Sequence, residues 1–140
     1  SILEKTSNLG AFNESVFTIE PNTSNQFTCT IPNTSAWFTA TDTSTFAISN
    51  WYNVTCTYDG SNIILYVNGI EKARTARTGP LNTINSSPVI GHWTPSTGSR
   101  YLNGKVDDIR IYNYSLTANQ VRLLYGQDST LLVAPVGGTP

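Results

Sequence analysis

The chain has 140 residues, a formal net charge of −1, 12% charged side chains and no methionine. A single domain of this length buries about two-thirds of the surface its unfolded chain exposes. Near-neutral charge gives nucleic acid and anionic lipid no electrostatic hold, and no apolar run approaches the roughly 20 residues that span a bilayer, so neither nucleic-acid binding nor membrane insertion is expected.

Ser, Thr and Asn take the polar role that charge usually fills, as in Thr39-Ala-Thr-Asp-Thr-Ser-Thr45. Thr suits the exposed face of a strand, which favours an all-β chain. In chain order, alternation and turn residues predict strands near Ile2–Lys5, Ser15–Ile19, Gln26–Ile31, Ala36–Ala40, Trp51–Tyr58, Ile63–Asn68, Ile70–Arg77, Pro88–Gly91 and Leu102–Tyr112. Clusters such as Glu20-Pro-Asn-Thr-Ser24 and Thr94-Pro-Ser-Thr-Gly98 separate them. Asp59-Gly60 and Asn68-Gly69 supply tight turns on either side of Ile63–Val67. Regular short strands argue for a sandwich or barrel over a βαβ fold. One helix is expected after Leu116. Thr117 and Gln120 form a capping box, Leu116 and Val121 a staple, and Gly126 a stop. Val121, Leu124 and Tyr125 are expected to face a sheet.

Cys29 shares a strand face with Phe27 and Ile31, and Cys56 shares one with Val54 and Tyr58, so both are expected to point inward. They form a disulfide across neighbouring strands or act as small buried hydrophobes; strand adjacency decides between the two. A single His and the lack of a C-x-x-C spacing speak against zinc. Asn-x-Ser/Thr sequons occur at Asn13, Asn22, Asn33, Asn53, Asn85 and Asn113. They reflect either chance in an Asn-, Ser- and Thr-rich chain or a glycosylated surface protein. Asn53 and Asn113 are expected on or beside strands.

Trp51-Tyr-Asn-Val-Thr-Cys-Thr-Tyr-Asp-Gly60, followed by Leu65-Tyr-Val-Asn-Gly69, resembles the laminin-G-like branch of the concanavalin A-like lectin/glucanase superfamily. Pro88-Val-Ile-Gly91 resembles that family's short strand, Tyr101 to Asn113 its closing strand, and Ser115 to Tyr125 its following helix. The resemblance is specific over roughly residues 51 to 125 and loose over 1 to 50. It implies a two-sheet antiparallel jelly-roll sandwich over residues 1–126, with 127–140 as a C-terminal extension or linker. It also implies a non-catalytic binding or adhesion module for glycan or protein, at an extracellular, cell or virion surface.

Against that family pattern the N-terminal strands are missing, and a chain that opens with Ser1 and lacks Met reads as processed or as part of something longer. A second polypeptide, a neighbouring subunit or the apolar tail Leu131 to Val136 is expected to complete the sandwich, since bare edges are hazardous. This favours an alternative reading as a structural subunit of a surface or viral assembly.

Glycoside hydrolysis, found in the wider superfamily, needs two carboxylates on one face. No such spacing exists; the only adjacent pair, Asp107-Asp108, points to opposite faces of the expected strand, so no catalytic residue is assigned. The expected ligand loop runs from His92 to Tyr101, where His92, Trp93, Arg100 and Tyr101 combine aromatic and polar groups in a Gly/Ser/Pro-rich segment. Against this stands the reading in which Trp93 packs on the hairpin and Arg100 is solvated. Lys72, Arg74 and Arg77 form a second candidate, for acidic glycans, though Arg77 breaks the alternation. Many relatives in this superfamily bind calcium, which leaves Asp42, Asp59 and Asn62 as candidate ligands by chemistry, with no diagnostic spacing.

Overall fold

The computed structural model describes residues 1–7, 12–93 and 100–127. Ten strands, one 3-10 turn and one α-helix follow in order: β1 (Leu3–Thr6), the turn Phe12–Glu14, β2 (Ser15–Pro21), β3 (Phe27–Thr30), β4 (Thr39–Thr41), β5 (Val54–Tyr58), β6 (Asn62–Val67), β7 (Ile70–Ala76), β8 (Val89–Ile90), β9 (His92–Trp93), β10 (Arg100–Tyr101) and α1 (Ala118–Gln127). They form an antiparallel sheet in the order β4-β3-β2-β1-β8, a second in the order β5-β6-β7, and the short β9–β10 ladder. This is the expected all-β sandwich with one C-terminal helix.

Period-two alternation sets the core. Phe27, Cys29 and Ile31 from the larger sheet meet Ile63, Leu65 and Val67 from the smaller one, with Val54, Cys56 and Tyr58 packed against them. Cys29 and Cys56 are joined in a disulfide, Cα–Cα 6.1 Å, which ties β3 to β5 across that core. On the far face of β6, Ile64 and Tyr66 pack under Leu116 and Val121 of the helix segment. Both sheet faces of β6 are therefore covered, which is why its burial runs unbroken from Ile63 to Val67.

The helix starts as its cap predicts. The Thr117 N–H donates to Gln120 Oε1 at 2.8 Å, and the Gln120 N–H returns to Thr117 Oγ1 at 3.3 Å. Tyr125 in its last turn lies against the β6–β7 turn. Gly69 there has φ 75°, and a Cβ would stand 3.1 Å from the Tyr125 ring. Glycine is thus required twice over, by backbone sign and by space. Asn68 before it, φ 52°, completes the two-residue turn expected from Asn-Gly.

One expected strand does not form. The Leu102 N–H donates to the Gly91 carbonyl at 2.8 Å, but from Asn103 to Tyr114 no backbone–backbone hydrogen bond to another described residue follows. Val106, Ile109, Ile111, Tyr112 and Tyr114 stay exposed. A strand is stable only beside another, and among the described residues no ladder lies next to this segment. Asp108, with φ 50°, also interrupts the extended run. Asp107 and Asp108 therefore do not sit on opposite faces of a strand. The Asp107 carboxylate accepts the Asp108 N–H at 2.8 Å, and Asp108 pairs with Arg110 at 2.7 Å. The tail from 128 to 140 lies outside the described residues.

Two consequences are measurable. A disulfide closing a 27-residue separation contributes about 3–4 kcal/mol in the chain-entropy account. Cys29→Ser, Cys56→Ser or reduction should lower the unfolding free energy by that order in denaturant titrations, and the untreated protein should show no reactive thiol. Burial of Tyr66, aided by the charge of Glu71, raises its phenol above the usual 10.0. The fold holds the neutral form, so this stabilisation is complete below pH 10 and is lost as pH rises beyond it. Tyr66→Phe should flatten that alkaline decline in a series of denaturant midpoints.

Candidate functional site

Arg77 directly follows β7, where its break in the alternation turns the side chain inward. It is 1% exposed. Its Nη1 donates to the Tyr58 hydroxyl at 2.5 Å and the Gly79 carbonyl at 2.6 Å. Its Nη2 donates to the Pro32 carbonyl at 2.7 Å and the Pro80 carbonyl at 2.8 Å. The Tyr58 hydroxyl in turn donates to the Gly79 carbonyl, and the guanidinium lies 4.7 Å from the Tyr58 ring centroid. A buried charge is costly unless it is hydrogen-bonded; here three carbonyls and the Tyr58 hydroxyl serve Nη1 and Nη2, while the buried Nε has no partner among the described residues.

This clamp joins the turn after β3 to the loop after β7. Asn82 adds a third segment: its Nδ2 donates to the Phe12 carbonyl at 2.7 Å and the Ser15 carbonyl at 2.8 Å. Between the three segments opens a cleft of about 340 Å³ lined by Asn13, Asn33, Thr34, Thr78, Pro80, Leu81, Asn82 and Thr83. None of these side chains is charged. Asn33 Oδ1 is engaged by the N–H groups of Ser35 and Ala36, both at 2.8 Å, which fixes that wall as an Asx turn. One residue beyond that turn, Trp37 packs edge-on against Phe12 at 5.3 Å and remains 42% exposed. Amides and hydroxyls with apolar Pro80 and Leu81 make a surface suited to a neutral, hydroxyl-rich ligand. Sequence reading missed this cleft; the one available signal was Arg77 falling out of register.

The expected ligand loop is only partly described. His92 and Tyr101 face each other across the β9–β10 ladder with rings stacked at 4.6 Å, and Tyr101 is 75% exposed. The side chains of Trp93 and Arg100, and residues 94–99 between them, lie outside the described residues. The basic candidate dissolves, because Arg77 is buried and Arg74 is paired to Glu71 at 2.9 Å. Of the three, only Lys72 is exposed and outside any ion pair among the described residues.

Calcium finds no convergent donor set among the described residues. Asp42 Oδ1 accepts the Ser44 N–H at 2.8 Å, and Asp59 Oδ1 accepts those of Ser61 and Asn62 at 2.8 and 2.7 Å. The bonds from Asn62 and Ser61 hold the Asp59 carboxyl below its usual range. Each carboxylate shapes its own turn, and no three His, Cys, Asp or Glu side chains gather. Of the sequon asparagines, Asn13, Asn85 and Asn113 are exposed. Asn22 and Asn33 spend Oδ1 on turn N–H groups, and Asn53 Oδ1 accepts from the Thr55 hydroxyl at 3.3 Å.

A family model described as the Concanavalin A-like lectin/glucanases superfamily matches residues 3–122. A search of curated proteins finds no match. Among solved structures, the chain is similar to a crystal structure of an S-layer domain-containing protein from Clostridium thermocellum, at 20% identity and a TM-score of 0.48. That alignment covers 78% of this chain and 55% of the other, so this chain spans about half the neighbour's length. At that level the likeness carries nothing about function.

Arg77→Ala should destabilise the protein by about 3 kcal/mol or more, because it leaves the Pro32, Gly79 and Pro80 carbonyls without their donor and opens a cavity. Tyr58→Phe, which removes an acceptor for Arg77 and a donor to the Gly79 carbonyl, should cost less, about 1–2 kcal/mol. Chemical denaturation of both variants checks the ranking.

Proposed function

The chain belongs to the concanavalin A-like lectin/glucanases superfamily, and from that premise we propose that it is a non-catalytic binding module that recognises a neutral glycan at a surface. The observation that carries this reading is the uncharged lining of the cleft held by Arg77 and Asn82. Sugars offer hydroxyls to amides and alcohols, and C–H faces to apolar groups such as Leu81. The His92–Tyr101 stack, with Tyr101 75% exposed, offers a further surface, this one aromatic.

Support for a non-catalytic role comes from the carboxylates. Glu71 and Asp108 are tied to arginines, Asp42 and Asp59 to turn N–H groups, and buried Glu4 accepts the Ser1 hydroxyl at 2.9 Å. Glycosidase chemistry asks for two that are free to face a scissile bond. An extracellular, cell-surface or virion-surface location fits the disulfide, which persists in oxidising compartments.

A second reading, a structural subunit of an extracellular or viral assembly, is favoured by one observation. Ile111 and Tyr114 are each 59% exposed in a segment that also bares Val106, Ile109 and Tyr112. An apolar run of that kind marks a contact surface.

Glycan-array screening with and without chelator separates these readings. Retention of neutral glycans, unchanged by chelator and weakened about fivefold or more by Thr34→Ala or Thr78→Ala, is expected. Absence of glycan binding would remove the first reading and leave the second. Release of reducing ends from a β-glucan would overturn the non-catalytic assignment.

A further inference from the structure

We propose that a small cavity between the loop after β4 and the β6–β7 turn binds a zwitterion of amino-acid size. The ligand's ammonium sits on Asp42 and its carboxylate on Lys72 and Asn68. The cavity shares no lining residue with the cleft and does not depend on what the cleft binds. It holds about 150 Å³ and is lined by Phe27, Asp42, Phe46, Tyr52, Asn68 and Lys72, among others. Its walls are fixed by bonds already made. The Asp42 N–H donates to the Phe27 carbonyl at 2.9 Å, and the Phe46 N–H to the Asn25 carbonyl at 2.8 Å. Phe46 stacks on Phe27 with centroids 4.5 Å apart, and Tyr52 stands edge-on to the two at 5.5 and 6.0 Å. The Tyr52 hydroxyl accepts the Ala47 N–H at 3.0 Å, which ties the loop to the rings. On the opposite wall, Asn68 exchanges bonds with the Asn53 backbone at 2.8 and 2.9 Å. A frame formed in advance lowers the ordering cost of binding.

Three polar groups in this frame remain unused. Asp42 is only 4% exposed. Its Oδ1 takes the Ser44 N–H at 2.8 Å, while Oδ2 accepts no hydrogen bond from any described residue. Asn68 spends Oδ1 on Asn53 and leaves the Nδ2 donors unengaged among the described residues. Lys72 stands outside both ion pairs of the described residues. Two opposite charges thus line one cavity without meeting each other. A carboxylate this deeply buried is costly to leave half satisfied, so the open Oδ2 points to a cationic partner.

An ammonium group meets that need and gains further from the aromatic walls, whose ring faces attract cations. A simple amine would set a second positive charge against Lys72 in the same cavity. A carboxylate on the same ligand answers Lys72, with the Asn68 amide donating beside it. A neutral polyol would leave both charges without a counter-charge, which separates this site from the uncharged cleft. The volume sets the size: about 150 Å³ lies below the roughly 300 Å³ at which pockets for drug-sized ligands begin. An amino acid is of that smaller class, and an oligosaccharide is not.

NMR titration of the chain with glycine, β-alanine, γ-aminobutyrate and ε-aminocaproate tests this, with the alkylamine and alkanoate of matching length as controls. The expected result is saturable shifts at the Asn68 side-chain amide and the Ser44 and Ala47 backbone amides. One length of zwitterion should bind about tenfold or more tighter than either control. Asp42→Asn keeps an oxygen for the Ser44 N–H and removes the charge, and Lys72→Met keeps the stem and removes the ammonium. Each should weaken that zwitterion by about tenfold or more, and Lys105→Met, a cation elsewhere, should leave it unchanged. An amine bound as tightly as the zwitterion overturns the proposal, since Lys72 then takes no part. Absence of saturable shifts with every probe also overturns it; if Lys72→Met then lowers stability, Lys72 itself closes on Asp42 in solution. Binding that survives both variants marks an adventitious site and overturns it as well.

Discussion

One guanidinium without a carboxylate partner holds an end of this sandwich together. Arg77 reaches carbonyls at Pro32, Gly79 and Pro80 and the Tyr58 hydroxyl, segments that have no strand ladder with one another. Loops of this kind have little else to fix them, because hydrogen bonding within each turn sets its shape but not its distance from the next. A planar, permanently charged donor fork does set that distance, and a lysine would offer no such fixed geometry. The cleft inherits its width from the clamp, since the Pro32–Thr34 and Thr78–Pro80 stretches are two of its walls.

The rest of the molecule is joined more conventionally, and unevenly. The Cys29–Cys56 bridge and the Phe27–Ile31 and Ile63–Val67 faces bind the two sheets, and the β4–β7 contact closes one side. The other side lacks such a closure among the described residues: a three-stranded sheet faces a five-stranded one there, with β5 at its margin. The segment from Asn103 to Tyr114 shows what this asymmetry does. Its composition is that of a strand, yet extended backbone without a neighbour gains no ladder bonds to offset its conformational cost.

Much of the fold was legible because period-two alternation and turn dipeptides act locally. The β5–β6–β7 meander, the Asn68-Gly69 turn and the Thr117–Gln120 capping box all follow from residues within a few positions of one another. The misread closing strand failed for the complementary reason: its pattern was right, but pairing depends on what stands beside it. The cleft was illegible for a similar cause. Its lining comes from residues near 13, 33 and 80, which sequence order scatters and only Arg77 and Asn82 bring together. The inward cysteines show the limit between these cases. Their faces were readable, whereas their adjacency required the two sheets to be stacked.

The scarcity of charge, 12% of the chain, becomes informative once its placement is known. Glu71, Lys72 and Arg74 sit on the β7 edge, and Lys105, Asp107, Asp108 and Arg110 on the segment that joins no ladder among the described residues. Charge thus gathers on an edge strand and on a segment without a ladder, although Glu4, Lys5 and Glu20 lie within paired strands, and the cleft lining carries none. Contacts made by hydrogen bonds and apolar area, with no ion pairs, are little screened by salt. Association through the cleft should therefore change little between low and physiological ionic strength, in contrast to a module that attracts its ligand by a field.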